Sequence, residues 1–313
     1  MNAFVWLVRR ELWESRAVWV GPAICAAIIV VGLLIASLSH GGIVFDTDHG
    51  PKLAEFEAKL TPAKVEALAS IVLGLISLPF LITILFVQFF YSIDALYGER
   101  RDRSILFWKS LPISDAASVL AKLSVAAVLI PMVACGFAVL TQVLVFALLS
   151  VKLSSFAVLA GHFWSPVTWA GSLLVMLYVL VGTVLWYLPL VGWLLLVSAW
   201  APRSPFMWAT LPPPALALAE WVVFRTNHLW HVIGGRVGNI GFLSEAFAKM
   251  NGEGFGFGYN GPGLGEVTAP ASLVDLMQPG VLFTSTSLWA GVVVGGALVA
   301  TTIWMRRYRD ESN

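Results

Sequence analysis

The chain has 313 residues; 58% are hydrophobic, only 12% are charged, and the mean hydropathy is +0.84. Soluble domains carry about 25% charged residues, so the pair of soluble domains that this length would otherwise permit is excluded. The formal net charge of +1 says little about partners, and no nucleic acid is expected among them.

Residues 2–16, NAFVWLVRRELWESR, set Phe4, Trp6, Leu7, Leu12 and Trp13 among charges, the pattern of a helix lying at a membrane surface. A plain extension of the first span is the other reading. No cleavable signal peptide is expected, because Arg9, Arg10, Glu11, Glu14 and Arg16 precede the first apolar run and no small-residue cleavage site follows it. Six apolar blocks reach the roughly 20 residues that a bilayer crossing needs. They lie at about 18–38, 70–93, 118–149, 167–199, 207–226 and 286–305. Thr61-Pro62, in a first outer loop at 39–69, is expected to open a short helix. The fourth block is too long for one straight span, and Pro189 and Gly192 predict a kink or a split there. The segment 227–285 is a larger outer insertion, with a helix expected near 243–250 and a Gly-rich stretch at 251–265. The expected fold is thus an all-α polytopic membrane protein, a single domain over 1–313.

Charge sets the orientation. With six spans and a cytosolic N-terminus, 12 of the 19 basic residues fall inside, Arg306, Arg307 and Arg309 among them. The other seven are spread over longer outer loops. A seventh span would move the terminal arginines outside, against the positive-inside rule. Both termini are therefore expected in the cytosol.

Residues 94–117 form a charged island between the second and third blocks. Arg100, Arg101, Arg103, Lys109 and, just beyond, Lys122 mark it as cytosolic. Ile105, Leu106, Phe107 and Trp108 sit in its middle, and a solvated loop has no need of four consecutive large apolar side chains. A short helix at the membrane surface or in a partner's groove does. Pro112 ends that helix, and Ser114 or Asp115 is placed to cap the next.

Candidate chemistry is sparse. No phosphate-cradling GxxxxGK[ST] loop, HExxH or GxSxG occurs, and GFGYNG at 256–261 reads as loop rather than as a dinucleotide fingerprint. Cys25 and Cys135 both lie in apolar runs and suit neither a disulfide framework nor a metal. His228 and His231 share a helix face, which suits either half a metal site or an interfacial polar cluster beside Trp230; no nearby carboxylate or Cys completes a ligand set. Glu220, after Pro212-Pro213-Pro214, is costly at membrane depth. It would contact substrate, pair with Arg225, or sit in the headgroup region. Gln88, Gln142 and Glu220 are the candidate substrate-pathway residues, while Asp94 reads as an interface residue. The 14 tryptophans fall mostly near span ends, as aromatic belts do; a substrate cage is the rarer alternative.

The architecture, RREL at 9–12, YGERRDRSILFWKSLPISD at 97–115 followed by Lys122, and WLLLVSAWAPRSPF at 193–206 together resemble permease subunits of ABC-2 type ATP-binding cassette exporters. The resemblance covers most of the chain. It implies a half-transporter in a bacterial inner membrane, paired with a second, often identical, permease subunit. Two cytosolic ATPase subunits would use ATP and Mg, and this chain would bind no cofactor and carry no catalytic residue. It also implies that residues near 102–110 form a coupling helix seated on the ATPase through Arg101, Arg103, Ile105, Leu106, Phe107, Trp108 and Lys109. Export, rather than import, follows from the family alone. The rival readings are a complex that moves or matures an external partner and a membrane-embedded lipid-modifying enzyme.

Overall fold

The structure, a computed structural model, describes residues 3–39, 62–104, 113–152, 164–237, 277 and 279–308. Most of these residues are helical, with no strand among them. Helix α1 (Ala3–Glu14) precedes α2 (Ala17–Ser39), and the break at Ser15–Arg16 makes α1 a separate helix rather than an extension of the span. Helix α3 (Pro62–Arg101) runs 40 residues, so Pro62 opens the second span itself and not a separate short helix. Next come α4 (Asp115–Ser124), a π-helical turn (Val125–Leu129) and α5 (Ile130–Lys152), one continuous rod. Helix α6 (Pro166–Trp200) runs unbroken through Pro189, so the expected split does not occur. Short helices α7 (Pro205–Thr210), α8 (Pro212–Phe224), α9 (His228–Val237) and α10 (Pro279–Thr284) lead to α11 (Thr286–Tyr308).

Among the described residues, five helices are long and apolar enough to cross a membrane: Ala17–Leu38, Val72–Arg101, Asp115–Val151, Pro166–Trp200 and Thr286–Tyr308. That is the mark of a multi-pass membrane protein. The fifth expected block, 207–226, is instead divided between α7 and α8. The reason is the proline triplet. Leu211 keeps helical dihedrals, its N–H bonds Met207 O (3.0 Å), and its carbonyl accepts from Ala215 N–H (3.1 Å). Pro212, Pro213 and Pro214 have no N–H to offer the carbonyls four residues back. One of those carbonyls, on Ala209, is taken by the Trp193 indole N–H at 3.1 Å.

Contacts fix the directions. Gln142 of α5 meets Leu73 of α3 and Gln88 of α3 meets Ala126, so these rods are antiparallel. Helices α6 and α11 run parallel: Trp186 packs with Leu288, Gly192 with Gly295, and Ala199 with Val299. Both end at the same pole of the bundle, so the chain between them must return. Helix α7 starts that return beside the end of α6, where Trp208 meets Trp200 edge-on at 4.7 Å. Arg236 of α9 ends up against Trp186 and Ser287, at the start of α11.

In lipid, helix association rests on close packing and polar contacts rather than on removing apolar surface from water. The α6–α11 crossing shows both. A Cβ on Gly295 would meet Leu188 C, Leu188 Cγ and Pro189 N at 2.9 Å, and one on Gly192 would meet Gly295 O at 3.0 Å. Farther out, the Arg236 guanidinium lies 4.3 Å over the Trp186 ring and donates to the Trp186 and Ser287 carbonyls. Deeper in the bundle, Phe80 and Leu73 of α3 and Phe146 of α5 form a core covered by Cys25, Ile29 and Leu33 of α2.

Gly295→Val should lower the thermal midpoint of the purified protein, because a side chain there meets backbone that cannot yield; overpacking of this kind costs about 1–3 kcal/mol. Gly296→Val, with nothing within 4 Å of the new Cβ, should leave the midpoint unchanged. Fluorescence-detected size-exclusion after heating reads both.

Candidate functional site

At the pole where α3, α6 and α11 end, five charged side chains from four helices meet. Glu11 shares the inward face of α1 with Leu7, one turn away. Glu99 lies near the end of α3. Asp115 is the first residue of α4, and Lys122 follows two turns later on the same helix. Arg306 is in the last turn of α11. The Lys122 Nζ donates to Glu11 Oε1 at 2.8 Å and lies 3.1 Å from Glu99 Oε1. Arg306 Nη1 takes the other Glu99 oxygen at 2.8 Å, and its Nε donates to Asp115 Oδ1 at 3.2 Å. The second Glu11 oxygen accepts from the Tyr91 hydroxyl at 3.2 Å. The Lys122 and Arg306 side chains are each only 4% exposed.

Charges this deeply buried persist only when paired and hydrogen-bonded. Here every carboxylate oxygen of Glu11 and Glu99 has a donor. Glu99 is the shared member, with one oxygen on lysine and one on arginine.

The topology of the lattice matters more than its strength. Glu99 and Asp115 lie near the two ends of the charged island. Arg306 holds both, and so closes the base of the island with a residue from the far end of the chain. Lys122 adds α1 to the same knot through Glu11. Arg100 adds α6: its Nη2 donates to the Ser198 and Ala201 carbonyls at 2.7 and 2.8 Å, filling acceptors left open where that helix ends. The Ser198 hydroxyl in return accepts from the Leu96 and Tyr97 N–H groups, both at 2.9 Å. Ser114 caps α4, its hydroxyl accepting from Ala117 N–H at 3.2 Å, while Asp115 is free to reach Arg306.

Of the sequence candidates, Arg101 and Arg103 lie at the end of α3, beside this knot. Arg101 is exposed and pairs with Asp102 at 3.0 Å. Arg103 adopts a left-handed φ of 56° just after the helix stops. Ile105, Leu106, Phe107, Trp108 and Lys109 lie outside the described residues. Gln88 is buried, and its amide donates to Ala126 O, inside the π-helical turn, at 2.8 Å. Gln142, also buried, donates to Leu73 O and Ser77 Oγ at 3.1 and 3.0 Å. The hydrogen bonds of both glutamines go to groups outside the charge lattice.

Glu220 is not paired with Arg225, which lies over the Trp221 ring. Its carboxylate reaches across a turn to cap α9, accepting from Thr226 Oγ1 (2.7 Å), His228 N–H (3.1 Å) and Leu229 N–H (2.7 Å). A carboxylate therefore does lie near the histidine pair, 3.4 Å from His228 Nδ1. Among the described residues, no group of three or more His, Cys, Asp or Glu side chains is arranged to hold a metal.

The lattice residues Glu11, Glu99, Asp115 and Arg306 are not among the sequence candidates. They stand in the sequence as charges at the borders of apolar blocks, where surface charge looks the same. The available signal is helical phase: Glu11 is four residues from Leu7, and Lys122 is three from Val119, both on faces that become buried. Compared with family models, with curated proteins and with solved structures, the chain finds no match in any of the three.

Lys122→Met should leave the buried Glu11 carboxylate without a cation and Glu99 with Arg306 alone. Removing one partner of such a pair costs about 3–5 kcal/mol, expected as a markedly lower thermal midpoint and a smaller yield of monodisperse protein. Lys122→Arg should recover most of the loss.

Proposed function

We propose that this chain is the membrane permease subunit of an ATP-driven exporter of the ABC-2 type, sitting in a bacterial inner membrane with both termini in the cytosol. The observation that carries the reading is the Arg306 clamp across Glu99 and Asp115. A loop that only linked two spans would need no such base. A loop that receives force does, because its ends must move together for the force to reach the helices.

In this reading the island docks on a cytosolic ATPase subunit through Ile105, Leu106, Phe107 and Trp108, with Arg101, Arg103 and Lys109 at the rim. Two ATPase subunits bind ATP and Mg and approach each other. The displacement enters α3 and α4 at the clamp, passes to α11 through Arg306, to α1 through Lys122 and Glu11, and to α6 through Arg100. A second permease subunit completes the substrate path. Six crossings are proposed, with α7 and α8 making the return that the parallel α6 and α11 require. Their 205–224 segment is about 30 Å long at 1.5 Å per residue, enough to cross. The direction of transport rests on the family resemblance set out above.

Two experiments test the proposal. In a chain lacking its native cysteines, single cysteines at 102 and 307 should react with membrane-impermeant thiol reagent only from the cytosolic side, and those at 59 and 251 only from outside. Reaction of 307 from outside would mean an odd number of crossings and would end the topology. Separately, the Leu106→Asp, Trp108→Asp double variant should insert normally yet lose co-purification with its ATPase, since each large side chain loses roughly 1.5–3 kcal/mol of burial. Undiminished complex and undiminished coupled transport would reduce the island to a linker and remove the reading.

A further inference from the structure

Helix α1 has two faces. Leu7 and Glu11 turn inward, where the helix packs against α4 and the π-helical turn. Phe4, Val5, Trp6 and Trp13 point the other way and are exposed, Trp6 at 46% and Trp13 at 66%. Two residues after α1 ends, α2 begins, and its own exposed residues Trp19, Val20 and Ile24 continue the apolar surface. The Trp19 indole N–H donates to Leu12 O at 3.3 Å and fixes the corner between the two helices. The outer face of α1 thus lies where a membrane-crossing helix enters the apolar phase, the depth at which tryptophan and arginine collect.

Arg9 sits in the middle of that face. Its guanidinium is 5.3 Å from the Trp6 ring centre and 4.5 Å from that of Trp13. The rings hold it in place but do not satisfy its N–H donors. No carboxylate pairs with Arg9 among the described residues. Of the two acids on its own helix, Glu11 is held by Lys122 and Tyr91 on the inward face, and Glu14 is taken by Arg10 at 2.9 Å. These five side chains, Trp6, Arg9, Arg10, Trp13 and Glu14, line an open cleft of about 390 Å³.

We propose that this cleft binds the phosphodiester headgroup of an anionic glycerophospholipid. The guanidinium fork matches two phosphate oxygens, and the two indoles provide an apolar wall for the glycerol and first acyl carbons. A cationic headgroup is disfavoured, because Arg9 already occupies the aromatic faces that a quaternary ammonium would need. The proposal requires only that α1 lie at a membrane surface, and it stands or falls apart from the transport reading.

Native mass spectrometry of the full chain in detergent tests it, with phosphatidylglycerol, phosphatidylcholine and inorganic phosphate as separate titrants. Phosphatidylglycerol should bind in preference to phosphatidylcholine. Arg9→Gln should weaken phosphatidylglycerol by about tenfold, the scale of one charge-assisted contact. Arg16→Gln, a basic residue outside the cleft, should leave it unchanged. Both variants should keep the lipid-free thermal midpoint, since neither residue belongs to the buried lattice. Equal lipid binding by wild type and Arg9→Gln overturns the proposal. So does displacement of phosphatidylglycerol by equimolar inorganic phosphate, which would make the site one for a soluble anion. Loss of ATPase co-purification in Arg9→Gln with lipid binding intact would assign the face to a protein instead.

Discussion

Two cations, Lys122 and Arg306, are buried at one pole of the bundle, and each is tolerated because two carboxylates hold it, with Glu99 shared between them. Neither charge has an alternative. The long side chains are almost wholly covered, so water cannot replace a missing partner. The geometry of four helix ends follows from this requirement. Helices α1, α3, α4 and α11 must bring Glu11, Glu99, Asp115, Lys122 and Arg306 within hydrogen-bond reach, and each helix therefore has its rotation fixed at that pole.

Elsewhere the bundle is held by different means. Between apolar faces in lipid there is little driving force to prefer one rotation over another. The specific information lies in a few polar and small residues. Gln88 and Gln142 register α3 against the π-helical turn and α5. Gly192 and Gly295 let α6 and α11 approach until backbone meets backbone. Arg236 ties the far end of α11 to Trp186. Each is a single contact with a defined donor or a defined absence of side chain, which is why the large exposed apolar surface of the outer helices is compatible with one arrangement inside.

Much of this was legible from sequence, and the failures share a cause. The apolar blocks, the separate amphipathic α1 and the Ser114 cap follow from local pattern: run length, charge interleaved with tryptophan, a hydroxyl before a helix. The proline triplet was visible, but its effect was not, because three missing donors interrupt a helix without changing its hydropathy. Pro189 had the opposite outcome. A proline inside a helix flanked by closely packed neighbours was absorbed without ending it. The charge lattice was the largest omission. A buried ion pair and a surface one have the same composition, and what separates them is a partner distant in sequence, 191 residues away for Arg306 and Asp115 and 207 for Arg306 and Glu99. Glu220 shows the same limit on a smaller scale: its cap on α9 depends on a turn that positions His228 and Leu229, not on its depth in an apolar run.

The π-helical turn at Val125–Leu129 has a role that its length conceals. A π turn holds one residue more than an α-helical turn would, and one residue is about 100° of rotation. The rod that contains it has an obligation on each side: Lys122 must face the carboxylates before the turn, and Gln142 must face Leu73 and Ser77 after it. In a uniform helix those two faces would be out of phase by that one residue's angle. The turn acts as a phase corrector between two polar anchors, and Gln88, bonded to Ala126 O within it, holds the correction in place. Chain length across these five positions is thus under tighter constraint than residue identity. Any apolar side chain of suitable size can fill them, but a one-residue deletion would turn either the lysine or the glutamine into the lipid.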